Sequence, residues 1–237
     1  SSNNDITHVS IHEQNTRNIP QIICQQFSNV DSLDVISSNV EFLDEFSFRH
    51  CSRLNSIQFL YNNLFQLGNR LFVNNPLLTQ VTLNRNRIQV ISSETFRGAT
   101  VNHIDLHTNN LTELSPGTFD NLANLTSLII RMNQVPKLTA IMFGSTLSTI
   151  KSISASTNRI SYIEEAFFDE ALSLDTLDLS DNLCISELFT DIINNRDYVR
   201  SRLGNCFGIV EDEGISCEFI STTCTMSIYN PCKLNFS

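Results

Sequence analysis

A pattern of 24 residues recurs eight times along the chain and constrains its fold more than any other feature. One copy, residues 78–88, reads Leu-Thr-Gln-Val-Thr-Leu-Asn-Arg-Asn-Arg-Ile, with aliphatic residues and one Asn at fixed positions. The copies begin at residues 6, 30, 54, 78, 101, 125, 150 and 174. Because eight copies in register do not arise by chance, the chain is predicted to form a solenoid of stacked coils.

The spacing of the aliphatic residues gives each coil a defined local structure. The centre of a copy, such as Val81-Thr82-Leu83, predicts a short strand with alternate side chains buried, and stacked copies predict a parallel sheet. An Asn follows each strand, where its amide can pair with the backbone of a buried turn. This position explains part of the high Asn content, 27 of 237 residues. In the strongest copies it is held by Asn62, Asn86, Asn109, Asn133, Asn158 and Asn182.

A column of large side chains is predicted on the convex side of the solenoid. A Phe stands five residues after the last aliphatic position of six copies, and Cys24 takes this place in the first copy. We expect the column to fill the space between the sheet and the returning segment of each coil. The column consists of Phe48, Phe72, Phe96, Phe119, Phe143 and Phe168.

The repeat resembles that of extracellular animal leucine-rich-repeat proteins. The match covers residues 6 to about 184 and predicts an α/β leucine-rich-repeat solenoid of about eight repeats. Its parts would be a concave parallel β-sheet and a C-terminal helical, Cys-containing cap. The ending Asp-Asn-Leu-Cys-Ile-Ser-Glu-Leu-Phe, residues 181–189, is similar to that of secreted insect leucine-rich-repeat proteins, including mosquito immune factors.

This resemblance implies a role in complement-like defence, and pairs of chains linked by C-terminal cysteines and coiled coils. The chain departs from the pattern because it has no heptad segment and no Cys-rich N-terminal cap. A lone Cys184 also replaces the usual Cys-x-Cys pair. Dimerisation through a coiled coil is therefore not predicted.

The chain is predicted to divide into a solenoid, residues 1–183, and a Cys-rich C-terminal cap, residues 184–237. Within the cap, residues 186–203 have the apolar spacing of one amphipathic helix. Ser186 is a good N-cap, and Gly204 suits the position just after a helix.

The seven cysteines are unevenly placed along the chain. Cys184 and Cys206 flank the expected helix, and we predict a disulfide between them. Cys24 and Cys51 occupy inward positions of adjacent coils, where either a disulfide or two buried thiols would fit. The remaining cysteines are Cys217, Cys224 and Cys232.

Because seven is odd, at least one thiol stays unpaired within the chain. That thiol is either a free Cys or half of an intermolecular disulfide, for which Cys224 and Cys232 are the candidates. The second alternative predicts a disulfide-linked homodimer or heterodimer.

Charge and sequence motifs favour an extracellular protein. The net charge is −10, without a Lys/Arg cluster, which argues against nucleic acid or an anionic membrane as partner. No apolar run approaches the ~18 residues of a membrane span. Candidate N-glycosylation sites at Asn110, Asn124 and Asn235, together with the Cys-dense terminus, favour secretion. Since the chain starts without a leader, we expect a mature form from which the signal is removed.

The exposed strand residues predict a binding surface on the concave face of the sheet. Two apolar groups stand out among polar side chains, Ile36 with Leu60 and Tyr61, and Ile129 with Met132. Such groups resemble the anchors of protein interfaces, although exposed apolar residues are also common elsewhere. The candidate ligand-binding residues are Ile36, Gln58, Leu60, Tyr61, Arg85, Asp105, His107, Ile129, Arg131 and Met132.

Metal binding and catalysis are not predicted. His103 and His107 lie on one strand with Asp105 between them, but the two His residues are ~13 Å apart, too far to chelate as a pair. The sequence has no phosphate-binding loop, zinc-protease motif or nucleophile elbow. We therefore expect no cofactor and no enzymatic activity.

The sequence thus predicts a secreted, non-enzymatic recognition protein that binds a protein or pathogen-derived ligand through the concave face, in innate immunity. Two alternatives stay open: the ectodomain of a cell-surface receptor or adhesion protein, and a carrier of a small ligand. A deep pocket would favour the carrier.

Overall fold

The computed structural model describes residues 5–19 and 22–208, and the backbone of the strands at 215–220 and 223–228. It divides into two compact units, Ser1–Phe207 and Gly208–Ser237. The strands are β1 (His8–His12), β2 (Ser32–Ile36), β3 (Phe42–Leu43), β4 (Ser56–Leu60), β5 (Gln66–Leu67), β6 (Gln80–Thr82), β7 (His103–Asp105), β8 (Ser127–Ile129), β9 (Lys137–Leu138), β10 (Ser152–Ser154), β11 (Tyr162–Ile163), β12 (Thr176–Asp178), β13 (Leu188–Phe189), β14 (Ile215–Ile220) and β15 (Thr223–Ile228). The α-helices are α1 (Ile23–Gln26), α2 (Glu165–Glu170) and α3 (Arg196–Leu203), and 3₁₀ turns cover Ala140–Met142 and Gly144–Ser148.

A nine-stranded sheet forms one face of the first unit, with one strand from each predicted copy and a closing strand. The order is β1-β2-β4-β6-β7-β8-β10-β12-β13, and the first eight strands are parallel. Leu33 lies opposite Ile57, one copy further along the chain. The register thus follows the repeat, because a shift by one residue would expose the aliphatic side chains that the coils bury.

The predicted Asn positions form a ladder of hydrogen bonds between consecutive coils. The Oδ1 of Asn62 accepts hydrogen bonds from the backbone N–H groups of Ser38 and Val40, at 2.9 and 3.2 Å. Its Nδ2 donates to the carbonyl oxygens of Val35 and Leu60, at 2.8 and 3.0 Å. One amide therefore serves four backbone groups, which confirms the scaffold role of this Asn column.

The Phe column forms a continuous spine inside the first unit, with one correction to the prediction. Neighbouring rings from Phe48 to Phe143 have centroids 5.5 to 6.1 Å apart. The next ring in the spine is Phe167, at 5.5 Å from Phe143, and not Phe168. Phe168 lies against Phe207 instead, because α2 buries two successive Phe side chains in different directions.

The prediction of one helix over residues 186–203 is wrong in its first half. Residues Leu188–Phe189 form β13, which pairs antiparallel with β12 and buries Phe189. Asp191 then has a φ of 53°, which a helix does not allow, and α3 begins only at Arg196. Ser186 does not cap a helix, since its Oγ accepts a hydrogen bond from the backbone N–H of Asp181.

Disulfides join neighbouring segments near both ends of the first unit. Cys184 is bonded to Cys206, as the sequence predicted, and this bond holds α3 on the last coil. Cys24 is bonded to Cys51, so the structure contains the disulfide alternative rather than two thiols. Because α3 buries Val199 and Leu203 in the solenoid core, the first unit continues to Phe207, beyond the boundary expected at residue 183.

The second unit contains an antiparallel hairpin of β14 and β15. Cys217 lies in β14 and Cys224 in β15. Cys232 and the candidate glycosylation site Asn235 lie outside the described residues.

Candidate surface for ligand recognition

The half-buried alternate residues of the strands share one surface of the sheet. Nine of the ten predicted binding residues are half-buried or exposed and lie on this surface or beyond the strand ends, whereas Asp105 is buried. Burial alternates along β2 and β4, so that Ile36, Gln58 and Leu60 are half-buried while the residues between them are buried. Ile36 lies directly opposite Leu60, and Asp105 opposite Ile129. The two predicted apolar groups therefore lie on one face, separated by β6 and β7.

The residue before each ladder position has a left-handed backbone and forms a row along the ends of the strands. Tyr61, Arg85 and Met132 belong to this row, with φ values of 55°, 56° and 57°. We call the row the strand-end ridge. It consists of Glu13, Ser37, Tyr61, Arg85, Thr108, Met132, Thr157 and Asp181.

Tyr61 and Arg85 form a stacked pair on this ridge. The guanidinium carbon of Arg85 lies 4.9 Å from the centre of the Tyr61 ring. Tyr61 is 55% exposed, and the half-buried Leu60 precedes it in the chain. The pair presents a large aromatic surface and a cation together, and both groups are common anchors of protein interfaces.

Met132 is the second exposed apolar residue of the ridge. It is 48% exposed, and Thr108 donates a hydrogen bond from Oγ1 to its sulfur at 3.6 Å. Arg131 beside it is exposed, whereas Ile129 is half-buried. The group thus offers an adaptable thioether next to a cation.

The predicted residues Asp105 and His107 lie between the two apolar groups but offer little surface. Asp105 is buried, which differs from the exposed position expected for the centre of the sheet. Its Oδ1 accepts from the backbone N–H of His107 at 2.9 Å and lies 2.8 Å from His107 Nδ1. Since a carboxylate only accepts, Nδ1 carries the proton in this contact. Asn84 donates to the other carboxylate oxygen at 3.4 Å, so Asp105 holds His107 and Asn84 in place.

A second His–Asp contact lies at the start of the sheet and was not anticipated from the sequence. His8 Nε2 lies 3.5 Å from Asp34 Oδ2 on the next strand. In the repeat, His8 aligns with Ser32, which lies two residues before Asp34, so the spacing alone did not predict this contact. The conformations of the two side chains bring them together. In the described residues, no group of three or more His, Cys, Asp or Glu side chains is arranged to hold a metal ion.

The two candidate glycosylation sites that the structure describes lie at opposite ends of the strands. Asn110 is exposed and follows the ladder residue Asn109, next to the strand-end ridge. Asn124 is also exposed but lies before β8, where the strands begin.

Among the cavities formed by the described residues, we consider two that open to solvent away from the strand-end ridge. The larger, of about 670 Å³, lies where the strands begin, and we call it the flank groove. It is lined by Asp31, Arg53, Asn55, Ser56, Pro76, Leu77, Thr79, Thr100, Asn102 and Asn124. The smaller, of about 360 Å³, is lined by Glu45, Phe46, Arg49, Arg70, Val73 and Asn74. Neither is enclosed, as a deep pocket for a small ligand would be.

Among the described residues, none of the helices has the length and apolar character needed to cross a membrane.

The leucine-rich-repeat family model matches residues 76–135 of the chain. A comparison with curated protein sequences gives no match. Among solved structures, the chain is similar to Toll in its complex with Spatzle, a hub of Drosophila development and innate immunity. The TM-score is 0.60 and the identity 23%, over 73% of this chain and 26% of that chain.

Two further solved structures have the same fold. The leucine-rich repeat domain of APL1B gives a TM-score of 0.59 and 17% identity, over 74% of this chain and 57% of that chain. TLR13 in complex with ssRNA13 gives 0.58 and 20%, over 74% of this chain and 28% of that chain. The chain therefore spans less than two thirds of each of these proteins. The repeat, the sheet register and these likenesses together show that it folds as an α/β leucine-rich-repeat solenoid.

Proposed function

We propose that this protein is a non-enzymatic recognition module that binds a protein or pathogen-derived ligand along the strand-end ridge and the adjoining sheet face. The observation that carries the proposal is the exposed Tyr61 with Arg85 stacked on its ring, on the same ridge as the exposed Met132. Tyr, Arg and Met are enriched in the buried centres of protein interfaces.

The rigidity of the ridge supports this proposal. The backbone of each ridge residue is held in one conformation next to a ladder position, so little backbone freedom is lost on binding. The two apolar groups provide separate anchors, and polar side chains such as Asn84 lie between them. A partner with two apolar contacts and an acidic group facing Arg85 would match this surface.

Differential capture tests the proposal. The full chain and the variants Tyr61→Asp and Met132→Asp are immobilised, and proteins captured from extracellular fluid of the source organism are quantified by mass spectrometry. We expect captured ligand to fall about tenfold for each variant, since loss of an interface anchor costs ~1.4 kcal/mol or more. Ile141→Asp is the control, because Ile141 is a 63% exposed apolar residue in the 3₁₀ turn Ala140–Met142, outside the strand-end ridge.

The result that would contradict the proposal is equal capture by all four proteins. Equal loss in the Ile141→Asp control would also count against it, since the effect would then come from added negative charge on an acidic chain. The melting temperature of each variant establishes that it is folded.

We further propose that the protein is secreted and acts in innate immunity. The two disulfides of the first unit support an oxidising compartment. The similarity to the fold of Toll, whose complex with Spatzle is a hub of innate immunity in Drosophila, supports the immune setting. Detection of the protein in the extracellular fluid, and its absence from washed cells, would be the expected result.

A disulfide-linked dimer through Cys224 or Cys232 remains part of this proposal. With Cys24, Cys51, Cys184 and Cys206 paired, three cysteines are left, which is again an odd number. The bond would form as two thiols pass two electrons and two protons to a disulfide oxidant of the secretory compartment. Electrophoresis of native material without reductant should give a band at dimer mass or above, and a monomer band under both conditions would exclude the dimer.

A receptor or adhesion ectodomain is the second candidate, supported by the likeness to Toll, of which the chain spans 26%. A full-length transcript that encodes a downstream hydrophobic segment would favour it over a secreted factor.

A further inference from the structure

The flank groove runs across the starts of four consecutive strands. Asp31, Asn55, Thr79 and Asn102 each lie directly before one of β2, β4, β6 and β7. At ~4.8 Å between strands, the groove is about 14 Å long. It lies at the opposite end of the strands from the ridge proposed to bind ligand.

Most of the groove lining is neutral and polar. Asp31 and Arg53 are its charged residues, and amide or hydroxyl side chains supply most of the remainder. Pro76 and Leu77 add an apolar surface, and Leu77 is 55% exposed. Amides and hydroxyls both donate and accept hydrogen bonds, as the hydroxyls of a sugar do, and the C–H faces of a sugar ring pack on apolar side chains.

Asn124 lies at one end of the groove, and its side chain is directed back over it. The Nδ2 of Asn124, the atom that carries the sugar in an N-linked glycan, lies 3.5 Å from the carbonyl oxygen of Thr100. Asn102 donates from its Nδ2 to the carbonyl oxygen of Asn124 at 3.2 Å and fixes this backbone. Both Thr100 and Asn102 line the groove.

We propose that Asn124 carries an N-linked glycan whose first sugars lie in the flank groove. This inference rests on the proposed function, because N-glycosylation requires that the protein pass through the secretory pathway. The C1 atom of a lipid-linked oligosaccharide donor bonds to Asn124 Nδ2 in place of one amide hydrogen, and the lipid diphosphate and a proton leave. The glycan then closes this side of the solenoid to protein ligands and leaves the strand-end ridge open.

Asn110 provides a reference site in the same molecule, because it has the same Asn-Leu-Thr motif and lies at the other end of the strands. The full chain is secreted from eukaryotic cells and treated under native conditions with peptide N-glycosidase, which converts each released Asn to Asp. Peptide mass spectrometry then gives the release rate at each site. We expect release at Asn124 to be about tenfold slower than at Asn110, or ~1.4 kcal/mol of protection.

A variant of the groove tests the contact itself. Arg53→Ala with Leu77→Ala removes two exposed lining residues and should bring the rate at Asn124 close to that at Asn110. Val90→Ala, which removes an exposed apolar side chain outside the groove lining, should leave the difference unchanged. Unmodified Asn124, equal native rates, or no effect of the double variant would overturn the inference. These readouts use no ligand, so their failure is distinct from a failure of the capture experiment.

Discussion

At the scale of single residues, the strand-end ridge depends on backbone conformations that only the surrounding coil makes favourable. Its eight residues all have φ between 52° and 57°, and none is Gly. A left-handed conformation costs a non-Gly residue about 1–2 kcal/mol. The ladder amides offset this cost, since Asn62 donates to the carbonyl oxygen of Leu60, just before Tyr61, and accepts from the backbone N–H of Val40 on the preceding coil. Side chains that are useful for recognition are thereby held at fixed positions.

Gly144 is a residue where both conformation and space require glycine. Its φ is 50°, and a Cβ there would overlap the carboxylate of Asp120, which accepts hydrogen bonds from Ser145. Gly117 is the matched control, since its φ is 75° but a Cβ would meet only the Ser93 side chain, at 3.6 Å. In urea unfolding, Gly117→Ala should cost ~1–3 kcal/mol from strain alone. Gly144→Ala should cost at least ~1 kcal/mol more, and equal losses would contradict this account.

Asp120 gives the stability of the protein a specific pH dependence. The hydrogen bond from the backbone N–H of Ser145 lowers the pKa of the Asp120 carboxyl below its ordinary value of 3.8. Because the pKa is lowered in the folded state, the stabilisation is present above the unfolded value and is lost as pH falls through the folded value. The difference in unfolding free energy between the wild type and Asp120→Asn should therefore shrink between about pH 5 and pH 2. A difference that does not change with pH would contradict the contribution of this charge.

At the scale of elements, the chain uses Asn in two ladders with different physical roles. The inner ladder serves buried backbone groups, as Asn62 and Asn133 do. An outer ladder runs beside it on the surface, where Asn63 donates to Asn39 at 3.1 Å and Asn39 to Asn15 at 3.3 Å. The 24-residue spacing of Asn15, Asn39 and Asn63 is visible in the sequence, but an outer ladder was not predicted from it.

Substitution of one member of each ladder separates the two roles. Asn133→Leu would leave the backbone N–H of Leu111 without a partner and should cost ~1–3 kcal/mol. The carbonyl oxygens of Leu106 and Ile130 would each keep one donor, from Asn109 and Asn158. Asn63→Leu removes a solvent-exposed hydrogen bond between the side-chain amides of Asn63 and Asn39, and it should cost less than about 0.5 kcal/mol. Denaturant unfolding measures the loss of unfolding free energy in each variant. Similar losses would show that the inner ladder stabilises the fold no more than the outer ladder does.

At the scale of the whole molecule, the first unit is stabilised mainly between neighbouring coils. In such a stack each coil contacts only its neighbours, so the terminal coils are covered on one side and open first. The two disulfides lie in these terminal regions, and they close segments with sequence separations of 27 and 22 residues. They thus restrain the ends, where coil packing is least complete.

Removal of one disulfide should therefore loosen one end only. The loop-entropy estimate for either bond is ~3.5 kcal/mol. Replacing Cys184 and Cys206 by Ala should increase amide hydrogen exchange in α3 and β12, while exchange in β6 and β7 stays as in the wild type. Replacing Cys24 and Cys51 by Ala should instead affect β1 and β2. A uniform rise along the solenoid would indicate that the first unit unfolds as one cooperative block.

The accuracy of the sequence predictions differed between repeated and unrepeated segments. The strand positions and the Asn62-type ladder were predicted because each is tested eightfold in the same chain. The helix expected at Ser186 failed because this segment occurs once and β12 offered Phe189 a strand partner. The helical spacing of apolar residues reports only local structure and carries no information about a strand partner. The candidate binding surface stays a prediction, and the burial of Asp105 was not visible in the sequence because it depended on its contact with His107.

The sequence by itself determined the coil, its 24-residue period and the inner Asn ladder, because a periodic pattern of aliphatic residues leaves one register that buries them all. Only the tertiary structure decided which residues present a surface. Tyr61 and Arg85 are 24 residues apart in the chain and become stacked because consecutive coils bring them together. The same stacking turns Asn124 toward the flank groove. Side-chain contacts across coils depend on rotamers and on small offsets between strands, and the repeat pattern alone does not fix them.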